Sequence, residues 1–443
     1  MNKNATAPKK KSDQAAQGIT RVTVCGFKSI SREQTIEIRP LTILAGANSS
    51  GKSSIMQPVL LLKQTLEAPY DPGPLLLTGP NVKFSSADQM FSILGGSKRC
   101  CAFSLGIGIG RRADAAVYFR RNSVKGVQLD RMTYKDDRDR ERIDLRMGMA
   151  SQEIMLAMPE TRTSIYGPKA KVEWAVARNR CFLQVTGTGR EGLSATHSVS
   201  EAIAPFIRES IHVPGLRGNP ERTYPMSAVS SMFPGTFEKY TASVIAAWQD
   251  RKEERLLEGL ARDLRRLGLS WKVRAKRIDD TQVELQVPRL PQATKGGAHD
   301  LVNIADVGFG VSQSLPVLVA LQAAIPGQLV YLEQPELHLH PRAQSALAEV
   351  LAEAAIRGIR VVAETHSALL LLGIQALVAE GKLSQELVKL HWFTRDQSGS
   401  TEVRSADLDP PGAFGEWPED FAQVALEAES RYLDAAESRK AAK

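Results

Sequence analysis

The sequence has little cysteine, and its few cysteines are not arranged for metal binding. The 443 residues include only Cys25, Cys100, Cys101 and Cys181, and no C-x-x-C pair occurs. Neither a zinc cage nor a disulfide framework is therefore favoured. The same scarcity is typical of proteins from a reducing compartment and predicts a cytoplasmic location.

Long apolar runs are also missing. The longest apolar stretches, at residues 315–325 and 368–378, fall short of the about 20 residues that a helix needs to span a bilayer. The N-terminus lacks the apolar core of a secretory signal. No unit of about 20–50 residues recurs and heptads are not sustained, which argues against solenoid repeats and a long coiled coil. We therefore expect no membrane partner.

Charge is in modest excess of one sign. Lys and Arg number 57 against 49 Asp and Glu, and the net charge of +8 leaves nucleic acid open as a partner. Part of the excess lies in residues 1–18, which are predicted to form a disordered basic tail. A second basic segment, residues 251–267, has a leucine stripe at helical spacing. Acidic residues are interspersed there, which favours a solvated, ion-paired face over a DNA-facing helix.

The most informative feature that is present is a phosphate loop. Residues 46–53 read Gly-Ala-Asn-Ser-Ser-Gly-Lys-Ser and match G-x-x-x-x-G-K-S in full. The glycines let backbone N–H groups at a helix N-terminus surround a phosphate. Lys52 can reach the terminal phosphates, and the Ser53 hydroxyl can hold Mg²⁺. An apolar run at 41–45 predicts the preceding strand, and a helical pattern follows, which we expect Pro58 to interrupt.

A second half of the same site lies far downstream. Residues 329–336, Leu-Val-Tyr-Leu-Glu-Gln-Pro-Glu, predict an apolar strand that ends in acidic and amide side chains. Residues 359–363 predict another strand, and Glu-Thr-His-Ser follows it. Residues 306–313 place two glycines at the start of a helix, which is typical of a helix N-terminus that binds an anion.

The order of these motifs resembles that of the ABC-type ATPases of the SMC and overcoming-lysogenisation-defect groups, often called "AAA family" ATPases. The resemblance covers residues 19–370. It comprises a Phe-Lys-Ser segment, the phosphate loop (Walker A), a long insertion, a signature helix, an acid-ended strand (Walker B) and a switch histidine. The closing segment, 415–418 with Phe421, looks like the C-terminal domain of a subset of bacterial ATPases.

The resemblance implies roles for individual residues. Lys28 and Ser29 would approach the phosphates of ATP, and His366 would sense the γ-phosphate. Glu333 would stand where the family has its Mg²⁺-associated acid, beside Ser53. The phosphate cradle would consist of Asn48, Ser49, Ser50, Gly51, Lys52, Ser53 and Ser54. The residues that would contact ATP on a second subunit, in a head-to-tail homodimer, are Gly308, Gly310, Ser312 and Gln313.

The chain departs from this family pattern in two places. The family has Asp-Glu at the end of the Walker B strand, where this chain has Glu333 and Gln334. A glutamine orients a water but cannot accept its proton, and loss of a general base costs roughly 10²–10⁴-fold in rate. Unless Glu336 or the γ-phosphate takes the proton, hydrolysis is predicted to be slow. The signature is also atypical, because Gly308 stands where the family has serine.

Several further patterns point to other chemistry. His338 and His340 have the spacing of two metal ligands on one face of a strand. Residues 407–409, Asp-Leu-Asp, resemble the D-x-D of a Toprim nuclease but lie in a proline-rich turn. Asp88 or Gln89 could supply a Q-loop. A transporter ATPase subunit would also carry a phosphate loop, although the insertion here is long for that class.

The predicted fold is α/β: a P-loop NTPase of ABC-ATPase type, with a mixed sheet flanked by helices, a β-rich first lobe and a helical/β insertion. We expect an N-terminal ATPase lobe over residues 19–215, the insertion over 216–300 and a C-terminal lobe over 301–443. The predicted activity is ATP binding and slow hydrolysis with Mg²⁺, in a homodimeric switch for a separate effector. Anti-phage defence or DNA maintenance follows by family analogy. An ATP-stabilised nucleic-acid clamp is the alternative.

Overall fold

The computed structural model describes residues 18–94, 98–111, 113–122, 126–158, 172–189, 194–290, 292, 298–415 and 430–431. The strands are β1 (Ile19–Cys25), β2 (Gln34–Glu37), β3 (Leu41–Gly46), β4 (Ile93–Leu94), β5 (Lys98–Arg99), β6 (Ala102–Ile109), β7 (Ala113–Asn122), β8 (Gly126–Asp136), β9 (Glu141–Arg146), β10 (Val172–Asn179), β11 (Phe182–Gly189), β12 (Ser194–Ser198), β13 (Ile211–Val213), β14 (Tyr224–Pro225), β15 (Arg274–Arg277), β16 (Gln282–Pro288), β17 (Leu301–Asn303), β18 (Leu329–Glu333), β19 (Arg360–Thr365), β20 (Val388–Arg395) and β21 (Thr401–Ala406). The helices are α1 (Lys52–Glu67), α2 (Ser151–Ala157), α3 (Ser200–Arg208), α4 (Thr241–Asp250), α5 (Glu254–Arg266), α6 (Phe309–Ala323), α7 (Pro341–Ile356) and α8 (Ala368–Ala379). Within these ranges, no helix combines the length and the apolar character that crossing a membrane requires.

A mixed sheet with the strand order β13-β18-β19-β3-β20-β21 forms the centre of the molecule. Its strands are parallel except for β21, which pairs antiparallel with β20. Both faces are buried: Ile43 and Val330 face one apolar cluster, whereas Leu44 and Tyr331 face the other. Burial on both faces explains why these strands read as continuous apolar runs. The carboxyl ends of β3, β18 and β19 therefore meet at one edge.

A β-rich lobe covers one face of this sheet. It contains the antiparallel order β2-β1-β6-β7-β8-β9 and the smaller sheet β10-β11-β12. Helix α1 lies between the lobe and the central sheet, and most of its side chains are buried. The expected interruption at Pro58 is wrong, because α1 continues through that residue. Pro58 is itself buried, and packing on both sides of the helix outweighs the loss of one N–H donor.

The other face carries helices and the insertion. Helices α4 and α5 and the strands β14, β15 and β16 lie within residues 216–300, and β17, just beyond them, pairs with β16. Arg262 and Arg266 of α5 form ion pairs with Glu353 of α7. The ion-paired interpretation of this side of α5 is therefore confirmed. The α/β fold class, with its mixed sheet, β-rich lobe and helical/β insertion, is confirmed as well.

A buried histidine in the central sheet makes stability depend on pH. The ring nitrogens of His391 in β20 lie 2.8 Å from Ser405 Oγ and 2.8 Å from the Glu37 carbonyl oxygen. Burial lowers the pKa of His391 from 6.5 to about 4, despite the hydrogen bond to Glu37. The neutral ring therefore stabilises the fold above pH 6.5. That stability is lost as pH falls toward 4, because the unfolded chain binds the proton first.

We expect wild type to lose about 2–3 kcal/mol more unfolding free energy between pH 7 and pH 4.5 than His391→Gln. Urea unfolding at the two pH values measures this difference. The matched control is His299→Gln, at an exposed position. Equal pH dependence in wild type and His391→Gln would contradict the prediction.

Candidate functional site

The phosphate loop joins β3 directly to α1. Gly46 and Gly51 have φ angles of 143° and 104°, in the region that glycine adopts most readily. Neither position has room for a side chain. A Cβ atom on Gly46 would lie 2.3 Å from the Phe393 carbonyl oxygen, and one on Gly51 would lie 2.2 Å from Thr401 Oγ1. Because α1 begins at Lys52, the N-terminal end of the helix, where N–H groups lack partners within the helix, directly follows the loop.

Thr401, the first residue of β21, braces the loop. Its hydroxyl donates to the Ser50 carbonyl oxygen over 2.9 Å and lies 2.8 Å from Ser29 Oγ. Its N–H donates to the Ser29 carbonyl oxygen over 2.7 Å. Ser29 is thereby held beside the phosphate loop, while the neighbouring Lys28 donates from Nζ to Gln57 Oε1 of α1 over 2.7 Å.

Lys52 is folded onto its own loop. Its Nζ donates to the carbonyl oxygens of Gly46 and Ala47 over 3.0 Å and 2.8 Å, and only 4% of the residue is exposed. Burial lowers the pKa of Lys52, and the charges of Glu364 and Glu336 act in the opposite direction. The ammonium is therefore held by weak neutral acceptors that an anion would replace.

A cavity of about 420 Å³ opens above the loop. Its lining residues are Lys28, Ser29, Asn48, Ser49, Ser50, Gly51, Lys52, Ser53, Ser54, Gln57, Gln334, Glu364, His366 and Arg395. Most of the predicted site residues are thus brought together. Gln57, Glu364 and Arg395 line the cavity without having been predicted, and Glu333 and Glu336 are not among its lining residues.

Glu364, at the end of β19, faces the phosphate loop. Its Oε1 accepts from the Ser53 hydroxyl over 3.0 Å, and its Oε2 accepts from the Tyr331 hydroxyl over 2.9 Å. Burial raises the pKa of Glu364, and the charge of Glu333 adds to this. The hydrogen bonds from Tyr331 and Ser53 partly offset the rise.

Glu333, at the end of β18, is held by a different set of partners. Its Oε1 lies 3.2 Å from His212 Nε2, and its Oε2 accepts from the Gly215 N–H over 3.1 Å. Burial acts to raise the pKa of Glu333, but the hydrogen bond and charge of His212 bring it below the usual range. Arg217 donates to the Glu333 carbonyl oxygen over 2.9 Å. The structure does not bring Glu333 into contact with Ser53.

Gln334 and Glu336, both in the turn after β18, take separate positions. Gln334 has a φ of 44°, and its N–H donates to the Glu364 carbonyl oxygen over 2.8 Å. Its side chain borders the cavity. Glu336 accepts at Oε1 from Thr365 Oγ1 over 2.6 Å and from the His366 N–H over 3.0 Å. Glu336 therefore ties the turn after β18 to the segment that carries His366.

His366 lines the cavity beside the first residue of the phosphate loop. Burial lowers the pKa of His366, and the charge of Lys52 acts in the same direction, whereas a hydrogen bond with the Gly46 backbone opposes both. These influences favour a neutral imidazole, which is compatible with a hydrogen-bonding contact to a phosphate oxygen.

The signature segment does not border the cavity of its own chain. Gly308 caps α6 and is exposed, and apart from its chain neighbours no described residue has an atom within 4 Å of where its Cβ would be. Gly310 and Ser312 lie in the first turn of α6, where Ser312 donates to the Phe309 carbonyl oxygen. Gln313 is buried, and its side chain donates to the Gly218 carbonyl oxygen over 2.7 Å. Gly308 and Ser312 are thus accessible at the helix start, but Gln313 is not.

The alternative patterns do not assemble into sites. His338 lies in a turn with a φ of 66°, and His340 caps α7, so they do not share a strand face. No group of three His, Cys, Asp or Glu residues suited to a metal ion occurs in the described residues. Asp407 forms ion pairs with Lys389 and Arg39. Asp88 forms an ion pair with Arg121.

Two other predicted segments need a note. Gln89 bonds to Ser85 and does not line the cavity, so the structure does not place a Q-loop there. The closing segment lies outside the described residues after 415, as does the predicted basic tail before residue 18.

Comparisons with known proteins address the fold. Residues 235–372 match a protein-family model described as "AAA domain, putative AbiEii toxin, Type IV TA system". No curated protein matches the chain. The phosphate loop and this match together indicate a P-loop ATPase fold.

Solved structures of SMC heads are among those similar to this chain. An SMC head bound to the C-terminal winged-helix domain of ScpA has 13% identity and a TM-score of 0.46, covering 88% of this chain and 98% of that one. The SMC head domain from Thermotoga maritima has 9% identity and a TM-score of 0.39, with coverage of 88% and 98%. An SMC head with an extended coiled coil, bound to the C-terminal domain of ScpA from Pyrococcus furiosus, has 11% identity and a TM-score of 0.44, with coverage of 95% and 99%.

Proposed function

We propose that this protein binds ATP with Mg²⁺, hydrolyses it slowly, and uses the bound nucleotide to switch between a monomer and a homodimer that acts on a separate effector. One observation carries the proposal. Lys52, Ser53, Glu364 and His366, from two chain segments about 310 residues apart in sequence, converge on one cavity above a complete phosphate loop. In this cavity Lys52 can bind a phosphate group, Ser53 can bind a cation, and His366 can contact the γ-phosphate.

The residues fit the nucleotide and its metal ion. Ser50 Oγ is buried in the cradle without a hydrogen-bond partner among the described residues, and the hydrogen bonds described for Lys52 Nζ go to the carbonyl oxygens of Gly46 and Ala47. A phosphate would satisfy both groups. The Ser53 hydroxyl and the carboxylate of Glu364, which it contacts, offer the oxygen ligands that Mg²⁺ prefers. The ion, when bound, neutralises phosphate charge; Lys52 and the N–H groups of α1 hold the phosphates, and His366 contacts the terminal one.

Self-association follows from the separation of the two half-sites. The start of α6 is exposed and away from its own cavity, so it can complete the site of a second copy. We expect light scattering to show a monomer without nucleotide and a dimer with ATP and Mg²⁺. A protein that stays monomeric at micromolar concentration with nucleotide bound would contradict this prediction.

A substitution at Gly308 sharpens the test. Because nothing surrounds its Cβ position, Gly308→Glu is compatible with the folded monomer, but its charge would oppose the phosphates of a partner. We expect Gly308→Glu to bind ATP normally and to remain monomeric. The matched control, Gly308→Ala, adds no charge and is expected to dimerise.

The clamp alternative differs in its response to nucleic acid. The net charge of +8 makes DNA a partner to test. A switch for a protein effector, acting in the cytoplasm in defence or DNA maintenance, predicts turnover that DNA does not change. ATP-dependent retention of DNA at 150 mM salt with little turnover would favour the clamp instead.

A further inference from the structure

Two carboxylates lie side by side at the edge of the central sheet where nucleotide is proposed to bind. Glu333 and Glu364 occupy paired positions in the parallel strands β18 and β19. Both are at the carboxyl ends of their strands. The sequence pattern assigns the metal-facing role to the first of them, because it stands at the Walker B position. The side chains do not follow that assignment.

The partners of Glu333 fix it away from the phosphate loop. One carboxylate oxygen faces His212 Nε2 of β13, and the other accepts from the Gly215 N–H. Both oxygens are therefore committed to β13 and the turn that follows it. The same segment supplies Arg217, which donates to the carbonyl oxygens of Glu333 and Gln334. Glu333 thus fastens β13 and its following turn to the end of β18.

Glu364 occupies the position that a metal-facing acid requires. It lines the cavity, and it accepts a hydrogen bond from Ser53, whose hydroxyl is the P-loop ligand for Mg²⁺. The Tyr331 hydroxyl donates a hydrogen bond to the second carboxylate oxygen of Glu364 and orients it. The buried ring of Tyr331 stacks against the ring of His212, with 5.4 Å between the ring centroids. Tyr331 therefore contacts Glu364 directly, and it contacts His212, the partner of Glu333.

We propose that Glu364, and not Glu333, is the carboxylate that faces Mg²⁺ in the nucleotide site, with Tyr331 as its positioning residue and Glu333 as an anchor for the segment after β13. This assignment rests on the proposed function and deepens it. In this protein the acid of the Walker B strand has exchanged its role with an acid on the neighbouring strand.

The experiment compares Glu364→Gln with Glu333→Gln as the matched control. The affinity for a fluorescent ATP analogue is measured by anisotropy in Mg²⁺ and in EDTA, so that the readout is binding and not turnover. Wild type is expected to bind more tightly in Mg²⁺. Glu364→Gln is expected to lose roughly 10–100-fold of that enhancement, with its affinity in EDTA unchanged. Glu333→Gln is expected to keep the enhancement and to melt at lower temperature.

A second variant and a second probe separate charge from folding. Glu364→Asp keeps the carboxylate and is expected to retain part of the Mg²⁺ enhancement. Titration of Mn²⁺ into the ATP-bound protein, followed by electron paramagnetic resonance of the free ion, should show weaker binding in Glu364→Gln than in Glu333→Gln. Full enhancement in Glu364→Gln, or its loss in Glu333→Gln, would overturn this assignment alone. A wild-type protein that binds no nucleotide would overturn the proposed function and this assignment with it.

Discussion

Replacing Lys52 with alanine is expected to lower the affinity for ATP by about 100-fold or more. The loss corresponds to about 3 kcal/mol, as expected for removal of charge-assisted hydrogen bonds to terminal phosphates. Lys52 already lies inside the phosphate loop, where its ammonium is bound by two carbonyl oxygens and needs only a side-chain rotation to meet a phosphate. Calorimetry with ATP and Mg²⁺ measures the effect.

The control for Lys52→Ala is Lys83→Ala, which removes the same charge from an exposed position. It is expected to bind ATP as wild type does. Thermal melting without nucleotide checks that Lys52→Ala is folded, because the variant also loses the bonds to Gly46 and Ala47. Unchanged ATP affinity in a folded Lys52→Ala protein would remove the basis for treating residues 46–53 as a nucleotide site.

Much of the fold could be predicted because local patterns and tertiary packing agree. Strands β3, β18 and β19 are buried on both faces, and for this reason their sequences are continuous apolar runs. Pro58 is an exception, since its local preference against a helix interior is outweighed by the burial of α1 on both sides. That burial depends on the β-rich lobe, which is contributed by chain segments distant from α1.

The candidate site likewise has one part that the local sequence predicts and one part that only the tertiary structure brings together. The phosphate cradle is a contiguous motif, so its residues follow from the sequence alone. Thr401 reaches the cradle through the pairing of β21 with β20 and of β20 with β3, and Glu364 through the pairing of β19 with β3. No local sequence pattern encodes these pairings. In the segment Glu-Thr-His-Ser, the sequence pattern indicated His366 as the site residue. Glu364, the first residue of that segment, is the one that contacts Ser53. Which of two paired acids faces the cavity depends on His212 and Gly215.

Gln334 borders the cavity. The ABC-type ATPases that the sequence resembles have their general base at this position, so the effect of placing a carboxylate there can be predicted. We expect Gln334→Glu to raise ATP turnover by roughly 10²-fold or more, because a carboxylate accepts the proton of an attacking water and an amide does not. Its backbone position is already fixed by the N–H bond to the Glu364 carbonyl oxygen, so the new side chain would start from the same place.

The competing hypothesis makes Glu336 the base. Its Oε2 is buried and has no partner among the described residues, but its Oε1 is committed to Thr365 and to the His366 N–H, and it does not line the cavity. We therefore expect Glu336→Gln to change turnover only modestly, since the amide oxygen can still accept those two bonds.

Steady-state phosphate release from Gln334→Glu and Glu336→Gln distinguishes the two hypotheses. If Glu336→Gln abolishes turnover and Gln334→Glu changes little, the base is Glu336. If the wild type turns over rapidly and neither substitution alters the rate, no side chain of this turn accepts the proton, and the slow-switch hypothesis is wrong.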